Sequence, residues 1–223
     1  MKIENIRPDD IEKKSFSIIA DELKKRKITL VPGTEPIVMR CIHTSADFDY
    51  AENLYFSAGV IDRAIEAIRS GADIVTDTQM AMAGISKKTL ARFGGQVHCF
   101  MADEDVAEEA KRRGVTRAVV SMEKASRLEK PLIFAIGNAP TALIRTAELY
   151  EQEKIRPEAV IGVPVGFVNV IASKEKIMQT GVPCIVARGR KGGSNIAACI
   201  CNALLYTASG RQLTPPTHPS SGR

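Results

Sequence analysis

Short apolar runs alternate with helical patterns between residues 72 and 209. The runs are rich in β-branched residues and are bounded by turn-forming residues, which is typical of buried strands. Five strands are predicted, at residues 73–77, 97–101, 132–137, 159–163 and 184–188. Because helical segments separate them, the strands are expected to be parallel and covered by helices. The predicted fold class is therefore α/β, a flavodoxin-like doubly wound five-stranded parallel sheet.

The first seventy residues carry helical patterns and no clear strand. Apolar residues recur at helical spacing behind Pro8, and a first helical turn tolerates proline. A second helix is predicted to begin at Thr34 and a third to cover residues 58–70. These helices predict an extra N-terminal layer that packs on the sheet or on a second subunit.

The length and apolar content fit one core. A chain of 223 residues that is 44% hydrophobic predicts a single domain over residues 1–210. The proline- and serine-rich stretch at 211–223 is expected to be disordered. The longest apolar runs are far shorter than the roughly 20 residues of a membrane-spanning helix, and the N-terminus lacks a secretory pattern. We therefore expect no membrane partner and a cytoplasmic location.

The charge pattern indicates an anionic partner other than nucleic acid. The net charge is +5, but basic and acidic residues are interspersed and form no long basic stripe of the kind that nucleic acid requires. The five cysteines show no C-x-x-C spacing and the three histidines are scattered. Neither a disulfide framework nor a metal site is expected.

Glycine and polar residues follow the predicted strands, at the edge where open α/β sheets bind ligands. The richest stretch runs from Arg188 to Ser194 and opens the last helix with Gly-Gly-Ser. Such a start leaves backbone N–H groups free, and the nearby arginines add positive charge. The pattern predicts a carboxylate or phosphate site, although it matches no nucleotide fingerprint. Tight turns that bind nothing are the other interpretation, and the spacing alone leaves both open.

His43 is the strongest single candidate for catalysis. It follows Arg40 by three positions on a predicted helix, so the two side chains can share a face. Asp47 is a candidate for orienting the imidazole if the helix continues that far. Histidine can give or take a proton near neutral pH, whereas a purely structural histidine is the competing interpretation. Since no nucleophilic triad can be assembled, acid–base chemistry or a rearrangement without a cofactor is expected.

Several blocks of the chain resemble the precorrin-8X methylmutase family. They include G-N-A-P-T-A-L at 137–143, I-G-V-P-V-G-F at 161–167 and the stretches 40–45, 74–77, 83–85 and 188–194. The similarity extends from about residue 8 to about residue 208. The resemblance implies an isomerase of cobalamin biosynthesis that moves a methyl group between adjacent ring C carbons of precorrin-8X or cobalt-precorrin-8, yielding hydrogenobyrinate or cobyrinate.

The resemblance also implies details of the site. No cofactor is expected, His43 is the expected proton donor to the macrocycle, and the family forms homodimers with the site near the subunit interface. The tetrapyrrole-derived substrate carries carboxylate arms, which suits the basic sheet edge. The expected substrate-binding residues are Ser17, Arg40, Thr76, Asp77, Arg117, Asn138, Arg188, Arg190, Gly192, Gly193 and Ser194. An ordinary salt bridge is the competing interpretation for Arg117.

Two other functions remain open on sequence alone. A corrinoid carrier without catalysis would need the pocket and the basic edge but not His43. A nucleotide-dependent transferase would use the glycine turns, although no phosphate fingerprint supports it.

Overall fold

The computed structural model describes residues 7–211. The predicted disordered tail lies outside this part of the chain, apart from Arg211. The strands are β1 Leu54–Phe56, β2 Asp73–Thr76, β3 Val97–His98, β4 Leu132–Ile136, β5 Ala159–Gly162 and β6 Cys184–Ala187. The helices are α1 Pro8–Lys25, α2 Glu35–Ser45, α3 Tyr50–Asn53, α4 Val60–Arg69, α5 Gln79–Gly84, α6 Lys87–Ala91, α7 Glu104–Arg113, α8 Arg117–Ala125, α9 Pro140–Glu151, α10 Val170–Gln179 and α11 Ser194–Ala208, with a 3-10 turn at Phe100–Ala102.

The strands form one sheet in the order β1-β6-β5-β4-β2-β3. Strands β2 to β6 all run parallel to one another. Numbered along the chain, these five lie in the order 2-1-3-4-5, which is the flavodoxin-like arrangement. The predicted fold class is therefore confirmed, and the strand order reverses between β2 and β4.

The prediction of five strands was wrong by one. Strand β1 lies within the first seventy residues and pairs antiparallel with β6, with Tyr55 opposite Val186. Three residues are too few for alternation to show. The strand predicted at 97–101 is also shorter than expected, because the chain leaves the sheet after His98 and enters the 3-10 turn.

Side chains alternate across the sheet and build a core on each face. Ile74, Ile133 and Ile161 pack with α1, α2, α4 and α11 on one face. Val75, Phe134 and Val160 pack with α8, α9 and α10 on the other. The two-residue alternation of strands produces this division.

The predicted N-terminal helical layer is present. Helix α2 buries Ile37, Val38, Cys41 and Ile42, and it packs on α11, which in turn contacts β4 and β5. Helix α11 is buried along most of its length, so it separates this layer from the sheet. All five cysteines lie in the described part of the chain, where they are buried and unpaired. No helix within residues 7–211 is both long and apolar enough to span a membrane.

Candidate active site

The turns that follow the parallel strands meet at one edge of the sheet. Thr78 Oγ1 and Ser194 Oγ are 2.8 Å apart and join the turn after β2 to the start of α11. The Gly193 N–H donates to the Val163 carbonyl at 2.9 Å, and the Gly166 N–H donates to the Arg190 carbonyl at 3.2 Å. These contacts bring together the turns after β2, β5 and β6, which carry predicted site residues such as Gly193 and Ser194.

Asp77 closes the turn between β4 and α9. Its carboxylate is fully buried and accepts from the N–H groups of Gly137, Asn138 and Ala139 at 2.9, 2.8 and 2.6 Å. Burial raises the pKa of Asp77, and the three N–H donors oppose this rise. Both carboxylate oxygens are thus engaged inside the protein, and direct contact of Asp77 with substrate stays a prediction.

Thr76 also has its partners inside the protein. It is fully buried, and its hydroxyl lies 3.1 Å from the Thr78 carbonyl and 3.2 Å from the His98 carbonyl. It therefore ties β2 to its own turn and to β3. Its predicted contact with substrate likewise remains a prediction.

The start of α11 is built differently. Gly193 precedes the helix and provides no side-chain cap, and its own N–H is used by Val163. Within residues 7–211 no acceptor binds the next three N–H groups, those of Ser194, Asn195 and Ile196. Because the N-terminus of a helix carries partial positive charge, these groups can bind an anion.

Two exposed arginines precede this helix. The Arg188 guanidinium lies 5.0 Å from the ring centre of Tyr55, and that of Arg190 lies 5.6 Å from that of Phe167. Both side chains are exposed, so their charges can reach a ligand at the sheet edge.

Lys191 ties the same loop to the N-terminal layer. Its ammonium contacts Asp47 at 2.6 Å and Asp49 at 2.5 Å, and this contact lowers the pKa of Asp47. Helix α2 ends at Ser45, before Asp47. The suggestion that Asp47 orients His43 was therefore wrong.

His43 lies exposed in the last turn of α2. Its Nδ1 is 2.7 Å from the hydroxyl oxygen of Ser15 on α1, and its ring centre is 5.3 Å from that of Phe16. No other described residue is a hydrogen-bond partner of the imidazole, so Nε2 points away unpaired. The ring borders a shallow cleft of about 430 Å³. Apolar side chains that line it include Ile11, Ile18, Ile42 and Phe48.

Sequence reasoning named Ser17 as a substrate-binding residue, which stays a prediction, and did not name Ser15 as a partner of His43. Ser17 is exposed on α1, and no contact in the described chain links it to His43. Ser15 lies four residues after Ile11 and three before Ile18, so it shares their face of the helix. That face borders the cleft, and this spacing is the signal that could have identified Ser15.

Arg40 is largely enclosed. Its guanidinium pairs with Glu12 and lies 5.0 Å from the ring centre of Tyr206 and 5.8 Å from that of Phe16. Arg40 and His43 both contact Phe16, as their spacing predicts. Only 13% of the Arg40 side chain is exposed, and its contact with substrate stays a prediction.

Arg117 and Asn138 lie at the α9 side of the sheet edge. Thr116, which precedes Arg117, has its hydroxyl 2.9 Å from that of Thr141 in the first turn of α9. Both Arg117 and Asn138 are exposed. No acidic side chain in the described chain pairs with Arg117, so a salt bridge does not account for it. Nor do the described residues contain a cluster of metal-ligating side chains.

A doubly wound sheet with a polar, basic carboxyl edge, together with an exposed histidine on α2, defines an α/β protein with a candidate ligand site. The model of the precorrin-8X methylmutase family matches residues 10–207. The chain belongs to the precorrin-8X methylmutase family, whose members are isomerases of cobalamin biosynthesis.

Relatives and a solved structure agree with this assignment. The chain is 43% identical to the cobalt-precorrin-8 methylmutase of Priestia megaterium, over 91% of this chain and 89% of the relative. It is 34% identical to the precorrin-8X methylmutase of Pseudomonas aeruginosa, over 87% and 93%. The crystal structure of the Thermus thermophilus precorrin-8X methylmutase matches with a TM-score of 0.81 and 35% identity, over 90% of this chain and 98% of that one. The resemblance inferred from the sequence is confirmed.

Proposed function

We propose that this chain moves a methyl group between adjacent ring C carbons of precorrin-8X or cobalt-precorrin-8, giving hydrogenobyrinate or cobyrinate. The names of its relatives support this substrate class. The observation that carries the proposal is the exposed His43 imidazole, which has Ser15 as the partner of Nδ1 and no hydrogen-bond partner at Nε2 within residues 7–211.

His43 is proposed to donate a proton to the macrocycle. The ring acts as an acid in its protonated form, in which Nδ1–H donates to the Ser15 hydroxyl oxygen and Nε2–H is the proton to be transferred. The neutral ring left behind keeps its proton on Nδ1. Proton transfer from Nε2 to a macrocycle nitrogen draws electrons from the ring system and eases the methyl shift. The reaction is an isomerisation, so the proton returns to Nε2 once the methyl group has moved.

The sheet edge is proposed to hold the carboxylate arms. Arg188, Arg190 and the open N–H groups of Gly192 and Ser194 offer both charge and directed donors, while Gly193 joins them in the same turn. Arg117 and Asn138 extend this surface toward α9. The net charge of +5 favours approach of a polyanion. The apolar cleft beside His43 suits the uncharged face of the macrocycle.

A homodimer is also proposed. Ile11 and Ile18 border the cleft and are 53% and 58% exposed, and apolar patches of this kind are commonly covered by a partner. A second copy of the chain over α1 would shield the cleft from water. Sedimentation of the purified protein should give twice the monomer mass, and a monomer at assay concentration would contradict the proposal. A cytoplasmic location stays a prediction.

The function is tested by following the absorbance change of metal-free and cobalt-containing precorrin-8 under anaerobic conditions. Wild type is expected to convert at least one of them. His43→Ala should fold normally and lose about 100- to 10,000-fold in kcat, the usual contribution of a general acid. His98→Gln is the control, because His98 instead contacts Asp73 at 2.9 Å.

Each other outcome has a distinct meaning. Binding by wild type without conversion would indicate a corrinoid carrier. Near-normal turnover by His43→Ala would remove the proton-donor role while leaving the methylmutase activity intact.

A further inference from the structure

Lys174 is a buried cation beneath the loop between β6 and α11. It lies on α10 and is 1% exposed. Its ammonium donates to the carbonyl oxygens of Gly189 and Lys191, each at 2.8 Å. These two carbonyls flank Arg190, so Lys174 contacts the loop from inside while the arginine extends outside.

The charge of Lys174 is not compensated by an acid. Within residues 7–211 no carboxylate lies within 4 Å of its ammonium. Burial lowers the pKa of Lys174 to about 8, so the group is still mostly protonated at pH 7. Burying a charge without a counter-ion is unfavourable, and the two carbonyl contacts offset only part of that cost. Stability alone therefore does not explain a lysine here.

The loop that Lys174 contacts has an unusual backbone. Gly189, Gly192 and Gly193 have φ angles of 74°, 156° and 132°, which side chains rarely adopt. With the Gly189 and Lys191 carbonyls turned inward to the ammonium, the outer side of the loop keeps the Arg188 and Arg190 side chains and the start of α11. A positive charge beneath the loop also adds to the attraction for an anion above it.

We propose that Lys174 is a positioning residue for the carboxylate arms of the substrate, acting through the loop between β6 and α11. The inference rests on the proposed function, because it assigns a support to the surface that holds those arms. Lys174 itself does not touch the substrate; it fixes the carbonyls on both sides of Arg190 and contributes positive charge from within.

Lys174→Met tests this role, with hydrogenobyrinate as the binding probe and its absorbance as the readout. The Kd of the probe and the KM for substrate should each rise about tenfold, as expected if the loop, no longer fixed by Lys174, loses one charge-assisted contact with a carboxylate arm. The kcat should stay within about twofold of wild type, since His43 is unchanged. The Tm does not report this role, because removing the buried charge and leaving the Gly189 and Lys191 carbonyls without a donor act on stability in opposite directions.

Lys176→Met is the matched control. Lys176 lies on the same helix and contacts Glu151 at 3.1 Å, away from the loop, and its loss changes the net charge equally. It should leave Kd and KM unaltered. Lys174→Gln, whose amide NH2 group retains hydrogen-bond donors without the charge, replaces the Met variant if that variant does not fold.

Unchanged Kd and KM in a folded Lys174 variant would overturn the inference while wild-type turnover still upheld the proposed function. Failure of both variants to fold would also overturn it, because Lys174 would then be a folding requirement. If wild type neither binds nor converts the compounds, the proposed function has failed, and the inference fails with it.

Discussion

Helices α9 and α11 begin at the same edge of the sheet, and the N–H groups around their starts meet different partners. Just before α9, the buried Asp77 carboxylate accepts from the three consecutive N–H groups that precede Pro140. At α11 the three N–H groups after Gly193 have no acceptor in the described chain. The turn that leads into α9 is thus held by a carboxylate of the protein itself, whereas the first turn of α11 has N–H groups without an acceptor in the described chain.

Two segments at the same sheet edge thus differ. The turn after β4 has its hydrogen bonds satisfied within the protein, and the start of α11 keeps N–H groups that a ligand could use. The turn after β4 is held rigidly by an internal anion, and it lies at the reversal of strand order where ligands bind in such folds. Its backbone approaches the start of α11 so closely that a Cβ on Gly137 would lie 2.7 Å from the Gly193 carbonyl oxygen. The turn after β4 therefore packs directly against the start of α11.

Asp77→Asn should have the largest effect on this comparison. The amide has one acceptor oxygen, whereas the carboxylate has two. The NH2 group of the amide would also face backbone N–H groups, which are donors themselves. Buried donors without a partner destabilise by about 1 to 3 kcal/mol each, so we expect a loss of about 3 kcal/mol or more in unfolding free energy. Denaturant titration measures it.

Asp21→Asn is the control for that experiment. Asp21 is exposed on α1, and its replacement should change the unfolding free energy by less than about 0.5 kcal/mol. A loss below about 1 kcal/mol for Asp77→Asn would mean that Asp77 does not complete the start of α9.

Gly192→Ala should act on the α11 side and have the next largest effect. A Cβ at this position would lie 2.0 Å from the Val163 carbonyl oxygen, so β5 and the loop would have to separate. We expect a loss of about 2 to 3 kcal/mol in unfolding free energy, together with weaker binding of hydrogenobyrinate.

Gly189→Ala separates backbone conformation from close contact. Gly189 has a φ of 74° but no neighbour within 4 Å of an added Cβ. Its replacement should lower the unfolding free energy by about 1 kcal/mol, from backbone strain alone. If Gly192→Ala and Gly189→Ala lowered the unfolding free energy equally, the close contact between Gly192 and Val163 would have no role in building the start of α11.

The sequence predicts the parallel strands and the sheet edge well because both depend on local pattern. Buried runs such as 132–136 are apolar throughout, and the glycine-rich turns follow directly after them. Strand β1 was missed because its three residues acquire their structure only by pairing with β6. Its pairing depends on residues about 130 positions away, with Tyr55 opposite Val186.

Roles within the site are less accessible to sequence reasoning because burial decides them. Asp77 follows a strand just as a ligand-binding residue would, yet its carboxylate is enclosed by the turn of a different strand. Ser15 and Ser17 differ by two positions, and only the packing of α1 against α2 selects the one that meets His43. Arg40 looks available in the sequence, but Glu12 and Tyr206 enclose it.

Hydrogen exchange compares the two helix starts without any substitution and should show the smallest effect. The amides of Gly137, Asn138 and Ala139 donate to Asp77 and should be protected. The amides of Ser194 and Asn195 lack such an acceptor and should exchange about tenfold faster or more. Added hydrogenobyrinate should slow exchange at Ser194 and Asn195 only, because a carboxylate arm would accept from them. Equal slowing at both helix starts, or none at α11, would contradict the assignment of the open turn to the substrate.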